Sequence, residues 1–209
     1  MAGHMPMFPL GTVLVPGAPL ALHVFEPRYQ ELVRACLEGT PELGVVLIER
    51  GSEVGGGDVR FDVGCVARIL LAVPLEGGRW ALGVVGSRRA RVVRWLADAP
   101  YPRAEVVDWA DPSPSPGGGA VRREALSALR RVLALGAEAG QPAGRAAVAL
   151  AGVDEDPVVA GYQMTWLAPL GPLDKLALLA APTPGDRLER LAGLLRDEAA
   201  VLARRLQGG

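Results

Sequence analysis

The stretch FDVGCVARILLAVPLEGGRWALGVV, Phe61 to Val85, decides the fold of the first half of this 209-residue chain. Two apolar runs, Phe61 to Leu75 and Arg79 to Val85, are joined by Glu76-Gly77-Gly78. β-Branched side chains favour extended backbone, and adjacent glycines accept the positive φ that a tight antiparallel connection requires. The segment reads as a β-hairpin.

Outward from it, short apolar runs punctuated by turn residues read as further strands: Met7 to Leu14, Leu20 to Val24, Leu43 to Arg50, Arg91 to Leu96 and Arg103 to Trp109. Between Arg79 to Val85 and Arg91 to Leu96, Gly86-Ser87-Arg88-Arg89 is expected to turn, with Ser87 as a turn residue. One helix interrupts the series. From Pro27 to Glu38, the residues Tyr29, Leu32, Val33, Cys36 and Leu37 recur at helical spacing, with Pro27 suited to the first turn and Gly39 to the stop. Its apolar stripe should pack on the sheet.

At Ala110 the composition changes. Asp111-Pro112-Ser113-Pro114-Ser115-Pro116 runs into Gly117-Gly118-Gly119, a stretch that reads as a linker. The expected organisation is a β domain over residues 5–110, a Pro/Gly linker over 111–119 and a helical bundle over 120–209. Helices are expected near Ala120 to Ala139, Gly144 to Ala151, Pro157 to Leu167, Leu173 to Leu179 and Pro184 to Leu206. Thr183-Pro184-Gly185-Asp186 marks the start of the last, with a capping hydroxyl, a proline at the first helical position and a carboxylate placed for a capping box.

Half the residues are hydrophobic and 22% are charged, which excludes a wholly disordered chain because enough apolar surface is present to offset chain entropy. No apolar run approaches the roughly 20 residues of a membrane-spanning helix. No basic segment precedes an apolar core and cleavage site, so a cytoplasmic location is expected. Met1 to His4 read as a short appended leader ahead of a start at Met5. Cys36 and Cys65 read as buried apolar residues, with neither a disulfide nor a zinc site expected.

Catalytic patterns are missing. The only lysine, Lys175, follows Asp174 and no phosphate-binding glycine loop precedes it. His23 is the only histidine beyond the leader and reads as structural, so metal hydrolysis lacks ligands. Gly86-Ser87-Arg88-Arg89 lacks the closing glycine of a nucleophile elbow. Gly55-Gly56-Gly57 leads into a strand, not a helix N-terminus, and reads as a flexible turn. No cofactor is implied. Arg88, Arg89, Arg91 and Arg94 form the one local basic cluster, weighed as a solvated strand edge or, through Arg88, Arg89 and Arg91, a phosphate-binding surface. With 22 basic and 23 acidic residues the chain lacks the basic excess of a nucleic-acid binder.

Several segments, taken in order, carry a resemblance. They are Phe8-Pro9-Leu10 with Val13-Leu14 and Pro16-Gly17; Leu20-Ala21-Leu22-His23-Val24-Phe25-Glu26-Pro27-Arg28-Tyr29; Glu53-Val54-Gly55-Gly56; and Val63-Gly64-Cys65-Val66-Ala67-Arg68-Ile69. Gly78-Arg79-Trp80, Gly86-Ser87-Arg88-Arg89-Ala90-Arg91-Val92 and Pro100-Tyr101-Pro102 with Ala104-Glu105-Val106 follow. The set resembles the N-terminal substrate-binding domain of Lon proteases in a free-standing form. The second half is similar to the same family's helical segment through Leu170, Lys175, Leu178-Leu179, Asp186-Arg187-Leu188-Glu189-Arg190-Leu191 and Leu194-Leu195.

The resemblance implies an α+β fold, a PUA-like β pseudo-barrel with one packed helix followed by a helical bundle. It also implies a non-enzymatic module that recognises polypeptide, the family's ATPase and Ser-Lys protease domains being absent here. An unfolded polypeptide or a protein partner is expected, including a cellular Lon protease, with nucleic acid or a small ligand as alternatives. Phe25, Tyr29 and Tyr101 are the candidate contacts, with Glu26 and Arg28 as polar rim. Against this stands a packing role: Tyr29 lies on the helix stripe, Phe25 could staple the first turn, and Glu26 and Arg28 could pair or cap the helix.

Overall fold

The computed structural model describes residues 3–115, 117–140 and 149–208. It divides into two compact units, residues 1–110 and 111–209.

The first unit holds six strands and one α-helix: β1 (Gly3–Leu10), β2 (Pro19–Val24), α1 (Pro27–Glu38), β3 (Glu42–Arg50), β4 (Val59–Pro74), β5 (Trp80–Leu96) and β6 (Arg103–Asp108). The strand order is β2-β5-β4-β3-β1-β6, and β6 also pairs with β5, so the sheet closes on itself. β5 makes this closure. Along one edge it pairs with β4, from Val63↔Arg91 to Pro74↔Trp80. Along the other it takes β2 over Trp80 to Val85 and β6 over Ala90 to Leu96. β1 splits in the same way, pairing Gly3 to Pro6 with β6 and Met7 to Leu10, in parallel, with β3.

The hairpin forms where the glycines predict it, with Gly77 and Gly78 at φ of 71° and 74°. Helix α1 also lies over the predicted residues, with Pro27 in its first turn and Tyr29, Leu32, Val33 and Cys36 buried.

Residues 86–90 do not turn: β5 runs unbroken, and the Ser87 hydroxyl donates to the Val66 carbonyl at 3.0 Å. Gly86 makes this fit, since a Cβ there would lie 2.2 Å from the Val15 carbonyl oxygen. The irregularity appears instead as a bulge at Ser87, where β4 advances one residue from Val66 to Ala67 while β5 passes from Arg88 to Gly86. The arginine cluster is therefore not on a sheet edge. Gly3 and His4 do not stand outside the fold either, because they extend β1 and pair with Val106 and Glu105.

The second unit contains α2 (Gly118–Glu138), α3 (Pro157–Leu167), α4 (Pro172–Leu179) and α5 (Pro184–Gly208). Leu129, Val132, Met164, Leu188, Leu191 and Leu195 from α2, α3 and α5 share one core. At the α5 start the Thr183 hydroxyl accepts from Asp186 N–H at 3.0 Å and donates to the Asp186 carboxylate at 2.7 Å. Asp156 caps α3 by accepting from Val158 N–H at 2.7 Å. The helix expected at Gly144 to Ala151 lies mostly over residues 141–148, outside the described residues.

The predicted linker is shorter than expected at both ends. Gly118 and Gly119 already belong to α2, and Asp111 is tied into the second unit. Its carboxylate accepts from Arg187 at 2.7 Å and from the Tyr162 hydroxyl. Arg187 is fully buried and also donates to the Leu178 carbonyl at 3.1 Å. No described helix is long and apolar enough to cross a membrane.

Candidate functional site

Where β2 ends and α1 begins, the chain borders a cleft of about 270 Å³. Phe8, Leu10 and Thr12 line it from the β1 side, Leu20 to Val24 from β2, Phe25 and Glu26 from the β2–α1 junction, Tyr29 from α1, and Glu53 and Val54 from the β3–β4 loop. The cleft sits below the roughly 300–1,000 Å³ of a small-molecule pocket.

Of the predicted contacts, Phe25, Glu26 and Tyr29 line this cleft together. Phe25 is 55% exposed, so it does not staple the helix into a core. Tyr29 is 3% exposed and stacks on Phe8, with ring centroids 4.3 Å apart and planes 17° from parallel. Burial raises its phenol to about 12, against the opposing influence of Arg28. Tyr29 is thus a core residue whose ring forms a wall.

Arg28 stands beside the cleft and braces it. Its guanidinium lies 4.4 Å from the Tyr29 ring centroid, donates to Glu26 at 3.2 Å and reaches the Glu53 carbonyl at 3.4 Å. Glu26 makes no side-chain cap for α1; its carboxylate instead accepts from Arg28 and from Gly55 N–H at 3.3 Å. Glu53 reaches the other way and accepts from Gly11 N–H. The β3–β4 loop is held over the cleft by these contacts, at a bend where Gly51, Gly55, Gly56 and Gly57 all have positive φ.

Tyr101 is not among the cleft residues; it lies in the β5–β6 connection, half-buried, with its carbonyl accepting from Ala99 N–H at 3.2 Å. Glu53, Val54 and His23 are cleft residues that the reading by residue type passed over, His23 being exposed and not buried structure. Strand alternation could have found His23, because it stands between the buried Leu22 and Val24.

The arginine cluster has a different fate. Arg88 makes two bonds to the Glu42 carboxylate, at 2.8 and 2.9 Å, and one to Asp108 at 2.9 Å. Its hydrogen bonds to these carboxylates, the Glu42 pair foremost, hold its pKa above the ordinary arginine value despite partial burial. Arg89 is 2% exposed, donates to the Trp109 carbonyl at 3.2 Å and lies 4.3 Å from the Trp109 ring centroid. Arg91 lies 4.0 Å from the same centroid, and Arg94 pairs with Glu105. These guanidiniums are committed to carboxylates and an indole, which argues against a phosphate-binding surface.

The cleft therefore combines an apolar wall from Phe8, Leu10, Phe25, Tyr29 and Val54 with the polar side chains of Thr12, His23, Glu26 and Glu53. Residues 4–197 match the family described as the ATP-dependent protease La (LON) substrate-binding domain, and the chain belongs to that family. Among curated relatives, it is 28% identical over 203 residues to Lon protease 2 of Herpetosiphon aurantiacus, covering 95% of this chain and 24% of that protein. It is 25% identical over 114 residues to a LON peptidase N-terminal domain and RING finger protein of Schizosaccharomyces pombe, covering 49% of this chain and 23% of that one. The chain therefore spans about a quarter of the length of these relatives.

Among solved structures it is similar to a Lon N-terminal domain protein from Xanthomonas campestris, at 29% identity and a TM-score of 0.67, covering 91% of this chain and 98% of that one. The N-terminal domain of a Mycobacterium avium complex Lon protease shares the fold at 19% identity and a TM-score of 0.68, over 95% of this chain and 98% of that one.

Proposed function

We propose that this protein binds unfolded or partly folded polypeptide through the cleft at Phe25 and Tyr29, as a non-enzymatic adaptor or sequestering module with a PUA-like β domain and a helical bundle. The observation that carries the reading is Phe25, a large apolar ring left exposed at the mouth of an apolar cleft in a chain of this family. Exposed aromatics beside a concave apolar wall supply contact area with little loss of side-chain freedom. A cellular Lon protease is the proposed working partner and the cytoplasm the proposed location.

The test is fluorescence anisotropy of the full chain against an unfolded polypeptide and an RNA of similar length, each at two salt concentrations. Salt-tolerant binding of the polypeptide, weakened by Phe25→Ala, supports the proposal. RNA binding that falls steeply with salt would replace it with a phosphate-directed function.

A further inference from the structure

β2 is the one strand at an end of the sheet order that pairs on a single side, and among the described residues its only strand partner is β5. The Gly86 N–H to Ala18 carbonyl bond, 2.9 Å, sets the phase of that ladder. In an antiparallel pair alternate residues bond the partner strand, so Leu20, Leu22 and Val24 bond β5 while the peptide groups of Ala21 and His23 point away from it. The cleft lies on that outward side. Five consecutive strand residues, Leu20 to Val24, line it, whereas one face of a strand presents only every second side chain. A cleft touched by an unbroken run of residues follows the strand's edge.

Across the cleft, β1 leaves its own partner. Its first half pairs with β6 and its second half with β3, so Phe8 to Leu10 and β2 border a seam that no described strand fills. The acidic lining residues are Glu26 and Glu53; Glu26 is ion-paired with Arg28 at 3.2 Å, so Glu53 is the lining carboxylate with no ion pair among the described residues. An open edge offers main-chain bonds, an apolar wall takes alternate side chains, and the Glu53 carboxylate favours positive charge.

We infer that the occupant of this seam is an extended polypeptide segment that adds to β2 as a further antiparallel or parallel strand, placing an apolar side chain against Phe8, Phe25 and Tyr29 and an adjacent lysine or arginine toward Glu53. The inference rests on the polypeptide-binding reading and specifies its geometry and its preferred sequence class. Recognition through main-chain bonds tolerates varied sequences, and the acidic lining selects among them by charge.

The probe is a short fluorescein-labelled peptide alternating valine or phenylalanine with lysine, titrated into the full chain by anisotropy. Two further peptides carry N-methyl groups on alternate amides, one on the odd and one on the even positions, and a fourth has glutamate for lysine. One methylated peptide should lose about five- to tenfold in affinity, the worth of a main-chain hydrogen bond, while the other keeps that of the parent. The glutamate peptide should bind more weakly than the parent.

Ala21→Pro removes an outward-facing N–H at a position where an edge strand tolerates proline, and should weaken the parent peptide with unchanged circular dichroism. Should that variant misfold, the methylated peptides still decide the matter. Equal affinities for parent and both methylated peptides, or equal losses by both, would overturn strand addition and leave the polypeptide-binding reading standing. Absence of binding by the parent peptide, with unfolded polypeptide still bound, would likewise overturn the inference alone; absence of both would remove the broader reading as well.

Discussion

Tyr29 and Phe25, four residues apart at the β2–α1 junction, border the same cleft from opposite situations: Tyr29 is buried against Phe8 and Phe25 projects into solvent. The two positions separate stability from binding. Tyr29→Ala is expected to cost about 3–5 kcal/mol, as for other large aromatic truncations in a core. Phe25→Ala should change stability by less than about 0.5 kcal/mol while weakening polypeptide binding. Urea denaturation paired with anisotropy checks both; equal destabilisation by the two would remove the distinction.

Asp111 is the carboxylate that faces the buried Arg187 guanidinium. Asp111→Ala leaves that cation buried without it and should cost about 3–5 kcal/mol. The double variant Asp111→Ala with Arg187→Met should recover much of the loss, because a linear apolar side chain needs no counter-charge. Urea unfolding of the three chains makes the comparison, and equal losses in the single and double variants would count against a charge-burial origin.

Gly86→Ala should destabilise the first unit by about 1–3 kcal/mol or more. The added methyl would meet the Val15 carbonyl oxygen at 2.2 Å and Cys65 Sγ at 3.0 Å, and a backbone oxygen within a folded segment has little room to retreat. Thermal unfolding measures this, and a stability equal to that of the parent would show that the Val13–Ala18 segment moves freely.

Asp58 and Arg60 set a pH dependence. Burial pushes the Asp58 carboxyl up, but the hydrogen bond from Arg60, a backbone bond and the nearby guanidiniums outweigh it and hold the group below the usual carboxylate range. A depressed folded-state pKa adds stability that is complete above the unfolded value of about 4 and is lost as pH falls through the folded value. Asp58→Asn should therefore be less stable than the parent at neutral pH, with the difference shrinking in acid below about pH 4. Urea midpoints across that range provide the check, and a pH-independent difference would contradict it.

Burial lifts the Cys36 thiol to about 11 and the Cys65 thiol to about 12. Neither should react with a disulfide reagent at pH 8 in the native protein, and both should react at once in denaturant. Fast labelling of either in the native state would show that its segment opens locally.

Much of the fold was legible because it depends on short-range backbone chemistry. The glycine pair of the β4–β5 hairpin, Pro27 at the start of α1 and Thr183 with Asp186 at the start of α5 each set local geometry within a few residues. Gly86-Ser87 misled for the complementary reason: a glycine predicts a turn when only its freedom is considered, but here its missing side chain admits the Val15 carbonyl to a continuous strand.

The candidate site was legible only in part. Residue type pointed to Phe25, Glu26, Arg28 and Tyr29, which the β2–α1 junction gathers, but Glu53 and Val54 arrive from a loop well separated in sequence, Glu53 lying 25 residues beyond Arg28. Tyr101 shares their chemistry and not their place. By itself the sequence determined most of the elements, the starts of α3 and α5 and the family, because those follow from local preferences and from an ordered set of motifs. Only the tertiary structure decided which aromatic ring is exposed, that Arg88 meets Glu42 and Asp108 from distant strands, and that no described strand lies between β1 and β2. Those outcomes depend on which strands become neighbours, a long-range choice that local chemistry leaves unspecified.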